Sequence, residues 1–203
     1  TIAGGDGQDI LTGGAGADII TGGAAVDTIV GGAAVDTITG GAGNDIITGG
    51  AGNDIITVDS GTDTVTDLGG GGSGGESDVV VVASGATLNA TGVISFTATS
   101  ATQNNSTDAG NATLTAASGG STMNVSAATG SGVSFTLTGG AGADIITGST
   151  GADIITGGSS NDIITGGAGN DTISGGTGMD IITGGTGNDI ININSSVDVV
   201  LDL

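Results

Sequence analysis

From Gly4 to Thr66, and again from Gly139 to Leu201, the chain repeats a nine-residue phrase seven times without a slip in register. The first run reads GGDGQDILT, GGAGADIIT, GGAAVDTIV, GGAAVDTIT, GGAGNDIIT, GGAGNDIIT and VDSGTDTVT. The second reads GGAGADIIT, GSTGADIIT, GGSSNDIIT, GGAGNDTIS, GGTGMDIIT, GGTGNDIIN and INSSVDVVL. A period this short leaves little choice of fold. One unit cannot bury a face alone, so each must be a rung stacked on its neighbours in a solenoid. Glycine and β-branched residues disfavour helix throughout, which makes the rungs strands and the class all-β.

Within each unit the glycines come first and the aliphatic residues last, so turn is followed by strand. Glycine reaches backbone angles closed to other residues, and a three-residue strand alternates its faces. Position eight therefore points inward, at nine-residue steps from Leu11 to Val65 and from Ile146 to Val200, and all fourteen are branched aliphatics. The expected core is one side chain deep. Position seven points outward, yet it reads Ile10, Ile19, Thr28, Thr37, Ile46, Ile55 and Thr64, then Ile145, Ile154, Ile163, Thr172, Ile181, Ile190 and Val199. Exposed aliphatic rows mark contact surfaces, and the expectation is lateral packing in an assembly.

Position six is always aspartate: Asp9, Asp18, Asp27, Asp36, Asp45, Asp54 and Asp63, then Asp144, Asp153, Asp162, Asp171, Asp180, Asp189 and Asp198. If two units make one coil, Asp45 lies over Asp27 and under Asp63. Stacked strands sit about 4.8 Å apart, and bare carboxylates at that spacing repel. The formal charge is −21, with no lysine, arginine or histidine to offset it. Something from solution must neutralise the ladder. Calcium suits it, since that ion takes six to eight oxygen ligands, here the aspartates and the carbonyls of the preceding turns. Zinc lacks its Cys and His. Nucleic acid is an unsuitable partner without basic residues, and with no run of 18 apolar residues a membrane insertion is not expected. Standard acids, bases and nucleophiles are mostly absent, and identical members of a ladder do not make the singular carboxylate pair of a glycosidase. The chain is not expected to be an enzyme.

Three segments follow: a first block at 1–66 (units 4–66), a Gly-rich joint and β spacer at 67–138, and a second block at 139–203 (units 139–201). The two blocks align at an offset of 135, as in VDSGTDTVTDL at 58–68 and INSSVDVVLDL at 193–203. The spacer holds short Ser-, Thr-, Ala- and Val-rich runs that read as strands: DVVVVAS, TGVISFTATS, NATLTAAS, STMNVSAA and GVSFTLT. Its 72 residues equal eight units, which suggests that it continues the same winding. Glu76, Asp78 and Asp108 form no pattern of ligands.

The phrase G-G-x-G-x-D-x-U-x, matched at every fixed position by GGAGNDIIT and GGTGNDIIN, resembles the RTX repeat, and the fourteen copies cover 126 of 203 residues. The resemblance implies a parallel β-roll with roughly five calcium ions per block; about ten divalent ions would nearly cancel the charge. Ala25, Ala34 and Ser160 replace the fourth-position glycine and Ser149 the second, where ligation is expected to be weaker. Asp63 and Asp198, in units without the leading glycines, are expected to end the stacks. RTX modules occur in secreted toxins and enzymes, in adhesins and in surface layers. With no catalytic module visible, the chain looks most like part of a bacterial surface layer or other cell-surface assembly, exported by type I secretion and wound outside by calcium, with copies of itself and cell-surface glycans as partners. An adhesin stalk or filament is the alternative, and the calcium module of a secreted toxin or enzyme the third.

Overall fold

The computed structural model describes residues 1–68, 78–84, 86–93, 95–98, 102–104, 112–116, 118–130, 133–194 and 197–202. The chain is an all-β solenoid in which, among the described residues, every strand pairing is parallel. Three sheets run along it. A long sheet of ten strands extends from Ile10–Gly14 to Ile190–Asn192. A first flanking sheet holds six strands, from Ile2–Gly5 to Gln103–Asn104, and a second holds six, from Ser95–Thr97 to Val199–Asp202. Among the described residues no helix is long and apolar enough to cross a membrane.

In both blocks the coil is two units long. Ile20 pairs with Ile38 and Ile38 with Ile56 in the first flanking sheet, while Leu11 pairs with Ile29 and Ile29 with Ile47 in the long sheet. Units two apart are stacked, and neighbours in sequence lie on opposite sides. Position eight fills the interior as expected: Ile20, Ile29, Ile38, Ile47 and Ile56 are fully buried, and Ile146, Ile164, Ile173 and Ile182 match them in the second block. Leu11, Ile191 and Val200, in the end coils, are only partly covered. Each fully buried side chain contributes about 1.5–3 kcal/mol, and the ladder supplies one per rung.

Most of the repeat strands are longer than three residues. Ile19–Ala24 and Ile46–Ala51 each carry IITGGA, running from position seven through the glycine pair to position three of the next unit. Only positions four to six turn the corner. The glycine pair thus lies in the strand, where coils approach most closely: a Cβ on Gly23 would lie 2.1 Å from the Gly5 carbonyl oxygen, and its φ is +124°.

The spacer continues the winding, but not with the same coil. Val65 pairs with Ala90, Ala90 with Leu114, and Leu114 with Leu137. Its 72 residues make three coils of 25, 24 and 23, not four of 18. The added length makes a third side. After Ala86–Val93 in the long sheet, the chain enters the second flanking sheet at Ser95–Thr97, the first at Gln103–Asn104, and the long sheet again at Ala112–Ala116. A wider coil needs larger side chains to fill it. Both phenylalanines of the chain, Phe96 and Phe135, are buried here beside Leu88, Leu114, Met123 and Leu137. The strand Ala86–Val93 starts five residues before the TGVISFTATS run, a beginning that the sequence reading passed over. The glycine run 69–77, with Glu76, and Asp108 lie outside the described residues.

Candidate metal centre

Every position-six aspartate but Asp63, which lies within the strand Gly61–Val65, sits at a corner just before a strand, and the 18-residue coil stacks these positions into ladders. Two ladders line the first block: Asp9, Asp27, Asp45 and Asp63 where the chain enters the long sheet, and Asp18, Asp36 and Asp54 where it leaves. In each, one carboxylate oxygen accepts the backbone N–H of the aspartate one coil earlier. Asp9 donates to Asp27 Oδ1, Asp27 to Asp45 and Asp36 to Asp54 at 2.8 Å, and Asp45 to Asp63 at 2.9 Å. The second block repeats this along Asp144, Asp162, Asp180 and Asp198, and along Asp153, Asp171 and Asp189. The Asp180-to-Asp198 bond, in the last coil, is the longest at 3.3 Å.

The other oxygen has no such partner. Oδ2 of Asp9, Asp27, Asp36, Asp45, Asp54, Asp63, Asp144, Asp162, Asp171, Asp180 and Asp189 is buried and accepts no hydrogen bond. A buried carboxylate left this way costs several kcal/mol. For all of these but Asp63, whose unit opens on Val58, the unit's leading glycine shapes the space that the oxygen faces. A Cβ on Gly22 would lie 2.4 Å from Asp27 Oδ2 and 2.3 Å from the carbonyl oxygen of Gly40, one coil on. Gly31, Gly157 and Gly166 have the same surroundings. Two acceptors that cannot bond each other therefore converge on one small space, kept open because the residue there has no side chain. A hard cation with oxygen ligands at roughly 2.3–2.6 Å fits this donor set.

Protonation is the other way to relieve the strain, and the carboxylates lean toward it. Burial pushes Asp63 up to about 7, with the charge of Asp45 adding to the effect and the Asp45 N–H opposing it. Burial likewise raises Asp54 and Asp162 to about 6, and raises Asp45, Asp144 and Asp171.

Three departures from the repeat have visible consequences. Ala25, Ala34 and Ser160 hold φ of 73°, 81° and 84°, left-handed angles forced on them by the corner. Ser149 is buried against Asp153, whose carboxylate, unlike the eleven above, has donors on both oxygens. The ladder of Asp18, Asp36 and Asp54 does not stop at Asp54. Asp78, 2 % exposed, accepts the Asp54 N–H at 2.9 Å and extends it into the spacer, correcting the expectation that this residue belongs to no pattern. The 24-residue step hid it, although D-V-V-V after a glycine run has the form of D-I-I-T. Asp59 and Asp67 were also passed over. Asp59 accepts the Gly41 N–H, and the two oxygens of Asp67 accept those of Gly49 and Gly50.

A family model described as the RTX calcium-binding nonapeptide repeat (4 copies) matches residues 3–38, 30–65, 138–173 and 174–192, more than half of the chain. No curated protein matches it.

Proposed function

Because the chain belongs to the RTX calcium-binding nonapeptide repeat family, we propose that it is a calcium-wound structural rod that works outside the cell as part of a surface assembly. The observation that carries this reading is the convergence of an unpartnered, buried aspartate oxygen and a backbone carbonyl at rung after rung. The ligands we assign are those eleven aspartates, joined by the facing glycine carbonyl at Asp9, Asp27, Asp36, Asp144, Asp162 and Asp171. Calcium supplies positive charge between coils, and the chain's residues do the rest: the corners aim the oxygens, the position-eight aliphatics exclude water from one side, and the N–H of one aspartate orients the next. Extracellular modules bind calcium at about 10⁻⁴–10⁻³ M, so a chain of this charge stays unwound where calcium is scarce and winds where it is plentiful.

Assembly is the second half of the proposal. The acids lie at the corners, while the outward faces of the sheets carry Ile46 and Ile154 on the long sheet, Ile19 and Ile55 on the first flanking sheet, and Ile163 and Ile181 on the second, all at least 40 % exposed. Faces of this kind can stack on copies of the same chain without bringing the charged edges together. We assign no catalytic role, since the composition offers no His, Lys, Cys or Tyr beside the ladders. A stalk reading has its own support: the long sheet runs unbroken through all ten strands, a span of about 45 Å at the usual strand spacing.

Electron microscopy and circular dichroism with and without a calcium chelator test both halves. The expected outcome is loss of β-signal and of ordered assemblies on chelation, and recovery of both on adding calcium back. Two-dimensional lattices favour the surface layer and isolated rods the stalk. Persistence of the β-structure without calcium would sink the mechanism.

A further inference from the structure

Of all the ladder positions in the second block, the corner at Asp153 is built differently. The unit reads GSTGADIIT, with Ser149 where the others keep their second glycine or have already left the stack. Ser149 is 2 % exposed. Its backbone N–H donates to Asp153 Oδ2 at 2.6 Å, and its Oγ lies 3.0 Å from Oδ2 and 3.1 Å from Oδ1 of the same carboxylate. The Phe135 N–H donates to Oδ1 at 2.6 Å. The hydroxyl also contacts the Val133 carbonyl oxygen and accepts the Gly151 N–H at 3.1 Å. Both oxygens of Asp153 are therefore met by donors from the chain itself.

We propose that the Asp153 corner takes no calcium, and that Ser149 stands in for the ion there, so that this one corner of the junction between spacer and second block is closed by hydrogen bonds in place of a metal. This rests on the ladder reading above. A cation needs the Oδ2 lone pairs that Ser149 meets, and the Ser149 N–H aimed at that oxygen puts partial positive charge where an ion would sit; the Phe135 N–H on Oδ1 repeats the bond that the other rungs make. The rest of the cradle remains: a Cβ on Gly148 would still meet Asp153 Oδ2 and the Gly166 carbonyl oxygen. Only the serine separates this corner from its neighbours. Val133 and Phe135 belong to the spacer, so the contact of Ser149 Oγ with the Val133 carbonyl oxygen and the Phe135 N–H on Asp153 also tie the two segments together. In this ladder the ion stack starts one coil later, at Asp171, whose Oδ2 has no partner.

The test is the number of calcium ions bound per chain at saturation, measured by equilibrium dialysis and metal analysis on the intact chain and on two variants. Ser149→Gly should bind one ion more than the wild type, because it frees the carboxylate and leaves the cradle in place. Asp153→Asn should bind as many as the wild type, whereas Asp162→Asn, a control in the neighbouring ladder, should bind fewer. An unchanged count for Ser149→Gly, or a lost ion for Asp153→Asn, would overturn the proposal while leaving the ladder reading intact. A wild-type chain that bound no calcium would overturn the ladder reading and this inference with it.

Discussion

At the scale of the residue, each rung works because two atoms are missing. The leading glycine lacks the Cβ that would fill the space beside Asp27 Oδ2, and the second lacks the one that would strike the coil below. Where a side chain does occupy the corner, the backbone is strained. Ala25 and Ala34 hold left-handed angles, at a cost of roughly 1–2 kcal/mol each. Replacing both with glycine should stabilise the calcium-loaded chain by about 1 kcal/mol per site after the greater freedom of the unfolded glycine is deducted, seen as a higher melting temperature in saturating calcium. The carboxylates give a second expectation. Folded-state values near 7 for Asp63 and near 6 for Asp54 and Asp162 lie above the ordinary 3.8. A raised group favours the fold fully below its unfolded value and loses that contribution as pH rises through the folded one. The calcium-free chain should therefore gain β-structure on acidification from about pH 7 to about pH 4. Calcium must displace those protons, so its apparent affinity should fall over the same interval. Circular dichroism in chelator across that range, with calcium titrations at each pH, checks both signs.

At the scale of the coil, the stack behaves as a row of nearest neighbours. Asp45 bonds upward to Asp63 and downward to Asp27, whereas Asp9 begins its ladder. Asp45→Asn should therefore shift the calcium midpoint of winding by roughly tenfold or more, and Asp9→Asn by distinctly less; equal shifts would mean that the coils do not cooperate. Much of this element was legible beforehand, because period, inward position eight and corner aspartate are all local properties of a unit. What the repeat could not reveal was set by contacts between distant segments. The glycine pair belongs to the strand because Gly23 packs on Gly5. Asp78 joins the ladder only because Asp54 lies 24 residues before it in sequence and one coil away in space. The spacer's length was read as four coils since nothing local told 18 from 24. The two phenylalanines were the available clue, as bulk too great for a two-sided coil.

At the scale of the molecule, charge and contact are segregated. The ladder acids lie along the edges, where the proposed cations would bridge them, and the outward sheet faces carry aliphatic side chains such as Ile46 and Ile154. Ile46→Glu with Ile154→Glu, both exposed on the long sheet, should abolish assembly yet leave calcium-induced winding unchanged, as judged by microscopy and circular dichroism on the same sample. Assembly that survived the two charges would move the contact to another face. The three-sided spacer bears on the form such contacts take. Below it the long sheet is backed by one flanking sheet, above it by the other, and within it both sides coexist in a single coil. The two blocks thus share one wall but present their second walls at different azimuths about a common axis. Under the proposed assembly, neighbours stacking on those second walls would be added in two directions, which would give a single molecule the valency of a corner piece, suited to weaving a net and not only to lengthening a cable.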